Sequence, residues 1–368
     1  MSARRPRPLL QGPVLALDLG GTNARAAVVT PDGRVAVRRA GPTPMGEGRD
    51  AVLELCLGLL RAARSEHVAA GGAPPVAVGI AAPGPLYPDR GTLIDPPNLR
   101  GEWWGYPLAP TIGEAVGLPW ALGKDTNVNI LAERDFGAGE GSDDIVYLTI
   151  STGIGGAVIS GGRPIVGPDG VAGELGHMTV DMDGPRCGCG GVGHLEAVAS
   201  GTGIANAARE ALEHGAQAPH LVRLAASIAP QRLSARHVTE AADLGDAVAG
   251  VILERARRAV AVAVVSIVNV FGPDSVILGG GITLAWGERL LAPTREAVAS
   301  SAFRIPGQRA RVVPAALGDD VGLIGTVPLV ASALPGLVAG GDHEGAAAAS
   351  TGAITTCQDP GVAMGDAG

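Results

Sequence analysis

The pattern that most constrains this chain is a strand, a glycine-rich turn and a second strand, written twice about 130 residues apart. The first copy reads Val14-Leu-Ala-Leu-Asp18, then Gly20-Gly21-Thr22-Asn23, then Ala26-Ala-Val-Val29. The second reads Ile145-Val-Tyr-Leu-Thr-Ile150, then Ser151-Thr152-Gly153-Ile154-Gly155-Gly156, then Ala157-Val-Ile-Ser160. Short apolar, β-branched runs bounded by glycine are strands joined in hairpins. Repetition of that unit in a chain of 368 residues predicts a duplicated α/β protein with a ligand held between the halves.

The remaining segments fit that plan. Helical spacing runs through Asp50 to Ala69, Asn127 to Phe136, Gly203 to His214, Val238 to Asp243 and Asp246 to Phe271. A further strand, Val76 to Ala81, is broken by Pro83-Gly84-Pro85, and Ser275-Val-Ile-Leu-Gly-Gly-Gly281 ends in a third glycine turn. The expected division is an N-terminal extension over residues 1–13, a small α/β domain over 14–124, and a larger one over 125–340. From residue 341 to 368 the composition becomes mostly Ala, Gly, Ser and Thr without periodicity, which predicts a disordered tail. Cys357 within it, and Cys56 on the first helix, are read as bystanders.

Composition removes several function classes. The net charge of −8, with no basic cluster beyond Arg4-Arg5-Pro6-Arg7, offers no surface for a nucleic-acid backbone. The longest apolar run, Ala259 to Phe271, is too short to cross a bilayer, and the N-terminus has no apolar core of signal-peptide type. A soluble cytoplasmic protein is expected.

Four soft or borderline ligands, His177, Cys187, Cys189 and His194, fall within 18 residues and are separated by glycines. That set suits a closed tetrahedral zinc site of structural type, because four protein ligands leave no open position. A disulfide between cysteines two apart is strained, and cytosolic thiols stay reduced. Glu174 and Glu196 bracket the cluster, so a metal that folds this 173–196 loop would aim both carboxylates into one pocket.

Glycine turns after strands expose backbone N–H groups to phosphate oxygens, and Thr22, Ser151 and Thr152 add hydroxyl donors. No Walker A motif or dinucleotide-type Gly-x-Gly-x-x-Gly follows the first strand. Asp125 stands between Gly123 and a helix, where a carboxylate can serve as a general base; taken alone it also reads as an ordinary helix N-cap. Lys124, directly before it, is the only lysine in the chain. Its compact ammonium is not interchangeable with guanidinium, although one lysine must sit somewhere.

Together these motifs resemble the ROK family of repressors, open reading frames and sugar kinases, within the wider hexokinase and actin-type ATPase superfamily. The resemblance runs from about Val14 to about Pro328. It rests on Asp18-Leu-Gly-Gly-Thr-Asn23, Gly79-Ile-Ala-Ala-Pro-Gly84, Asp125-Thr-Asn127, Ser151-Thr-Gly-Ile-Gly-Gly156, Gly173-Glu-Leu-Gly-His177, Cys187-Gly-Cys-Gly-Gly-Val-Gly-His-Leu-Glu196 and Leu278-Gly-Gly-Gly281. It implies a two-domain fold with an RNase H-like core, an interdomain cleft where ATP and a sugar meet, and a zinc-binding loop. By position, Asp18, Gly20, Gly21 and Thr22 would face phosphate and Mg2+, with Thr152 and Gly153 the second phosphate turn and Gly280 and Gly281 beside adenosine. Gly84, Asn98, Lys124, Asp125, Glu174, His177 and Glu196 would surround the sugar, with His177 also on Zn2+.

The resemblance implies an ATP-dependent hexose 6-kinase with Asp125 as base. Glucose is the first expectation because both Glu174 and Glu196 are present. N-acetylmannosamine, N-acetylglucosamine, fructose and allose remain as acceptors, and polyphosphate as a donor. A sugar-responsive repressor would carry a winged helix-turn-helix, for which the 13 residues before the first strand are too few. A non-catalytic sensor would need a broken Asp18 or Asp125. The resemblance also suggests a homodimer or homotetramer. Two positions depart from the family pattern: His194 replaces the usual third cysteine, and Lys124 replaces an asparagine.

Overall fold

The computed structural model describes residues 9–94, 96, 99, 102–167 and 170–339. Asn98 and the tail expected over 341–368 lie outside these residues. Strands β1 (Val14–Leu19), β2 (Asn23–Val29), β3 (Val35–Pro42), β4 (Ala77–Ala82), the short β5 (Leu86–Tyr87) and β6 (Thr92–Leu93), and β7 (Trp120–Lys124) form the first half. Helices α1 (Arg49–Ala69) and α2 (Leu108–Val116) accompany them, and α3 (Asp125–Phe136) leads out. The second half holds β8 (Ile145–Ile150), β9 (Ile154–Ser160), β10 (Arg163–Pro164), β11 (Ser275–Gly279) and β12 (Arg311–Pro314).

Each half is built on one sheet, and the two sheets share a topology. The first has the order β3-β2-β1-β4-β7 and the second β10-β9-β8-β11-β12. In both, antiparallel pairing of the first three strands gives way to parallel pairing of the last three. The repeated hairpin in the sequence is therefore a repeated sheet. Central strands β1, β4, β8 and β11 are almost wholly buried, which explains their near-continuous apolar runs.

Between β10 and β11 the chain forms α4 (Leu195–Ala199), α5 (Gly201–Glu213), α6 (Pro219–Ile228), α7 (Ala235–Asp243) and α8 (Ala247–Phe271). The side chain of buried Asp246 caps α8 by accepting from Val248 and Ala249 N–H, at 3.1 and 3.2 Å. The same carboxylate accepts from His220 and Leu221 N–H at the start of α6, so one residue ties two helix N-termini together. Gly272, in the left-handed conformation, ends α8. This apolar segment is thus a core helix, and no described helix is long and apolar enough to cross a membrane.

After β11 come α9 (Gly281–Trp286), α10 (Glu288–Ser301) and α11 (Arg304–Arg309). The last two helices, α12 (Val321–Ile324) and α13 (Thr326–Ala333), pack against the first sheet, where Leu323, Val327 and Val330 join Val14, Ala16 and Ala121 in one core. Two crossings therefore link the halves, one through α3 and one from β12 into α12.

Candidate active site

The carboxyl ends of the parallel strands in both sheets face one cleft of about 1200 Å³, the place where open α/β sheets bind ligands. Its walls carry Asp18, Gly84, Lys124, Asp125, Thr152, Gly153, Glu174, His177, Glu196, Gly280 and Gly281. Gly21 and Thr22 line an adjoining cavity of about 860 Å³ that shares Thr152, Gly153 and Glu196 with the cleft. Gly20 lines neither; its N–H closes the first turn on Asn23 O at 3.0 Å, and its carbonyl accepts from Thr43 Oγ1 at 2.7 Å.

Asp125 is the first residue of α3, with Lys124 at the N-cap, so the reading of an ordinary N-cap aspartate is replaced by a carboxylate inside the first turn. Its Oδ1 accepts from Thr126 N–H at 2.7 Å. Burial raises the Asp125 carboxyl above its ordinary pKa; the Thr126 N–H and the Lys124 ammonium oppose that rise and Glu174 adds to it. Lys124 is buried, and its Nζ donates to Glu174 Oε1. Gly84 leaves room for the lysine stem, since a Cβ there would sit 3.3 Å from Lys124 Cδ. The wall beside Asp125 is thus a lysine held between two acids.

Asp18 lies opposite. Antiparallel register sets it across from Arg25, whose Nη1 approaches Asp18 Oδ2 at 3.4 Å. Burial nevertheless pushes the Asp18 carboxyl up to about 6, Arg25 pulling it down and Asp125 pushing it further up. The second and third glycine turns are stitched together by Ser151 Oγ, which accepts from Gly281 N–H at 3.0 Å. Gly280 has φ +88°, and a Cβ there would meet Ile150 O at 2.4 Å, so only glycine fits this close approach.

His177, Cys187, Cys189 and His194 converge, with their candidate ligand atoms all within 4.8 Å of one another. Cys187 Sγ is 3.6 Å from His177 Nδ1, and Cys189 Sγ is 3.2 Å from His194 Nδ1. The other ring nitrogen of His177, Nε2, is 3.8 Å from Glu174 Oε2. Glu196 extends from the same loop, its Oε2 accepting from Ile154 N–H at 2.8 Å. A Cβ on Gly153 would stand 2.6 Å from that oxygen. The Cys/His loop and the second glycine turn therefore meet at Glu196.

Sequence reasoning missed Arg25, Tyr147 and Asp319, all on the cleft wall, and Ser151's bridging role. Arg25 had one available signal, its register opposite Asp18 in the first hairpin.

The sequence profile of the ROK family matches residues 14–333. A glucokinase of Thermotoga maritima is 35% identical over 326 residues, covering 88% of this chain and 98% of that protein. An N-acetylmannosamine kinase of Escherichia coli O157:H7 is 34% identical over 316 residues, covering 86% and 97%. The crystal structure of a ROK family glucokinase from Streptomyces griseus in complex with glucose and AMPPNP is 31% identical, with a TM-score of 0.71 over 86% of this chain and 99% of that one. These likenesses carry the actin/hexokinase-like α/β architecture.

Proposed function

The chain belongs to the ROK family and is a sugar kinase, and we propose that it transfers the terminal phosphoryl group of ATP to the 6-hydroxyl of a hexose, with glucose the favoured acceptor. The observation that carries this reading is the half-buried Asp125 carboxylate in a cleft that also holds Glu174, His177, Glu196 and two glycine turns. A neutral polyol offers only hydroxyls. Glu174 and Glu196 are acceptors for them, and each has one oxygen already committed, to Lys124 and to Ile154 N–H. The other oxygens, Glu174 Oε2 at 3.8 Å from His177 Nε2 and Glu196 Oε1 at 3.9 Å from Cys187 Sγ, have only long contacts and can still accept from a sugar hydroxyl.

In the proposed step Asp125 takes the proton of the acceptor hydroxyl while that oxygen attacks the terminal phosphorus in line, and the bond to the ADP oxygen breaks. Burial raises the proton affinity of Asp125, which suits a proton acceptor, while the Thr126 N–H and the Lys124 ammonium pull in the opposite direction. Backbone N–H groups of the turns at Gly21-Thr22 and Thr152-Gly153 are the donors toward phosphate oxygens. Asp18 offers a hard oxygen ligand for magnesium, which when bound neutralises phosphate charge.

The Cys/His cluster fits zinc. Bonds of about 2.3 Å to sulfur and 2.0–2.1 Å to nitrogen put tetrahedral neighbours roughly 3.3–3.8 Å apart. The two sulfur–nitrogen separations, 3.6 and 3.2 Å, lie close to that range, and His194 stands where a thiol would otherwise complete the set. Bound zinc supplies a structural tie; His177, facing Cys187 with Nδ1, is left with Nε2 toward the sugar side.

Lys124 supports a second acceptor. It adds a cationic donor beside the carboxylates of Asp125 and Glu174, which suits the carbonyl of an acetamido sugar such as N-acetylmannosamine. The test is ADP release from magnesium ATP against glucose, mannose, fructose, N-acetylglucosamine and N-acetylmannosamine, with phosphorus NMR of the product. Glucose should give the highest kcat/KM and a 6-phosphate. No turnover with any sugar by folded, zinc-replete protein would sink the hexokinase reading.

A further inference from the structure

Glu133 is fully buried near the far end of α3, remote in sequence from every glycine turn, and no described cation pairs with it. Its carboxylate is satisfied by backbone alone. Oε2 accepts from Ala138 N–H at 2.8 Å, and Oε1 accepts from Ala316 and Leu317 N–H at 3.0 and 3.1 Å. Ala138 follows α3 and Ala316 follows β12, so one carboxylate joins the two crossings between the halves. Gly137 makes room for it, since a Cβ there would lie 2.2 Å from Oε2.

The chain beyond Leu317 returns to the cleft. Asp319 O accepts from Arg25 Nη1 at 3.1 Å, the same atom that approaches Asp18, and Asp320 pairs with Arg38 at 3.1 Å. The segment from Ala316 to Asp320 is therefore gripped by Glu133 on one side and by arginines of β2 and β3 on the other. Asp125 begins the helix that Glu133 nearly ends, two turns away.

We infer that Glu133 is a positioning residue: by clamping the Ala316–Asp320 loop to α3, it sets the Arg25–Asp18 pair at its working distance from Asp125. Glu133 touches no substrate and acts through the loop. A carboxylate suits the task because it accepts on both oxygens. Glutamine can accept on one only, so its amide NH2 would face an N–H donor and release either Ala138 or Leu317, while Ala316 N–H, at 3.0 and 3.1 Å from the two oxygens, would keep only one of its two acceptors.

This inference rests on the kinase reading for its kinetics, and its test separates the two. Full-length wild type, Glu133→Gln and Glu133→Asp are compared by calorimetry with AMPPNP and magnesium, by calorimetry with glucose alone, and by kcat and thermal melting. In Glu133→Gln, AMPPNP affinity should weaken about tenfold and kcat fall about 10²-fold, with glucose affinity within about twofold of wild type. Glu133→Asp keeps the charge but cannot span both turns; it should show the same split, and it decides the question if the glutamine variant does not fold. A variant that melts lower but binds AMPPNP and turns over as wild type overturns the inference. Equal weakening of both ligands overturns it too. AMPPNP binding needs no turnover, so a wild type inactive on every sugar would refute the kinase reading and leave this comparison readable.

Discussion

Replacing Asp18 by asparagine should stabilise the ligand-free protein while disabling it. The folded Asp18 carboxyl titrates near 6 against 3.8 for the free group, chiefly because burial disfavours its charge. Between those two values the unfolded chain has released a proton that the folded chain keeps, so stability falls as pH rises. Above the folded pKa the whole cost applies: about two units, or about 3 kcal/mol. Arg25 and Arg38 already offset part of the burial, and Asp125 works against them. Asparagine keeps an oxygen for Arg25 and carries no charge. Urea unfolding of wild type and Asp18→Asn, without nucleotide or magnesium, should show the variant more stable by up to about 3 kcal/mol at pH 8. Most of that gap should close by pH 4. A variant no more stable than wild type at pH 8, or a gap that is equal at both pH values, would refute the reasoning.

Other expectations follow from the cleft walls. Stripping zinc with a chelator, or substituting Cys189→Ser, should lower stability and glucose affinity together; the stability loss should reach about 4 kcal/mol relative to protein held at about a thousandfold its zinc dissociation constant, read by melting with metal analysis. Lys124→Asn should change the ratio of kcat/KM for glucose over N-acetylmannosamine by about tenfold, the worth of one hydrogen bond from a charged donor, in a paired steady-state assay.

Much of this site was legible because its parts are local. The glycine turns sit directly after apolar strands, and the four clustered Cys and His residues span one loop, so their spacing already pointed to the cluster. The matching sheets were likewise announced by the repeated hairpin. What spacing does not reveal is long-range approach. Glu133 sits in the polar run Glu133-Arg134-Asp135, which reads as a solvated helix face, yet it is buried because a loop from 183 residues away donates to it. Strand β7 and helices α12 and α13 escaped for a related reason. They are too short to show a period of their own, and they become buried elements only through the first sheet, which supplies the apolar surface they pack on. Arg25 looks like an exposed strand residue until register places it against Asp18.

The central claim is that Asp125 takes the proton in a phosphoryl transfer to a sugar. It is tested most directly by magnesium ATP-dependent glucose phosphorylation in wild type and Asp125→Asn, with glucose binding measured on both. The account predicts turnover in wild type, a loss of at least about 10²-fold in kcat in the variant, and glucose binding retained. Undiminished kcat in a folded Asp125→Asn protein would contradict it.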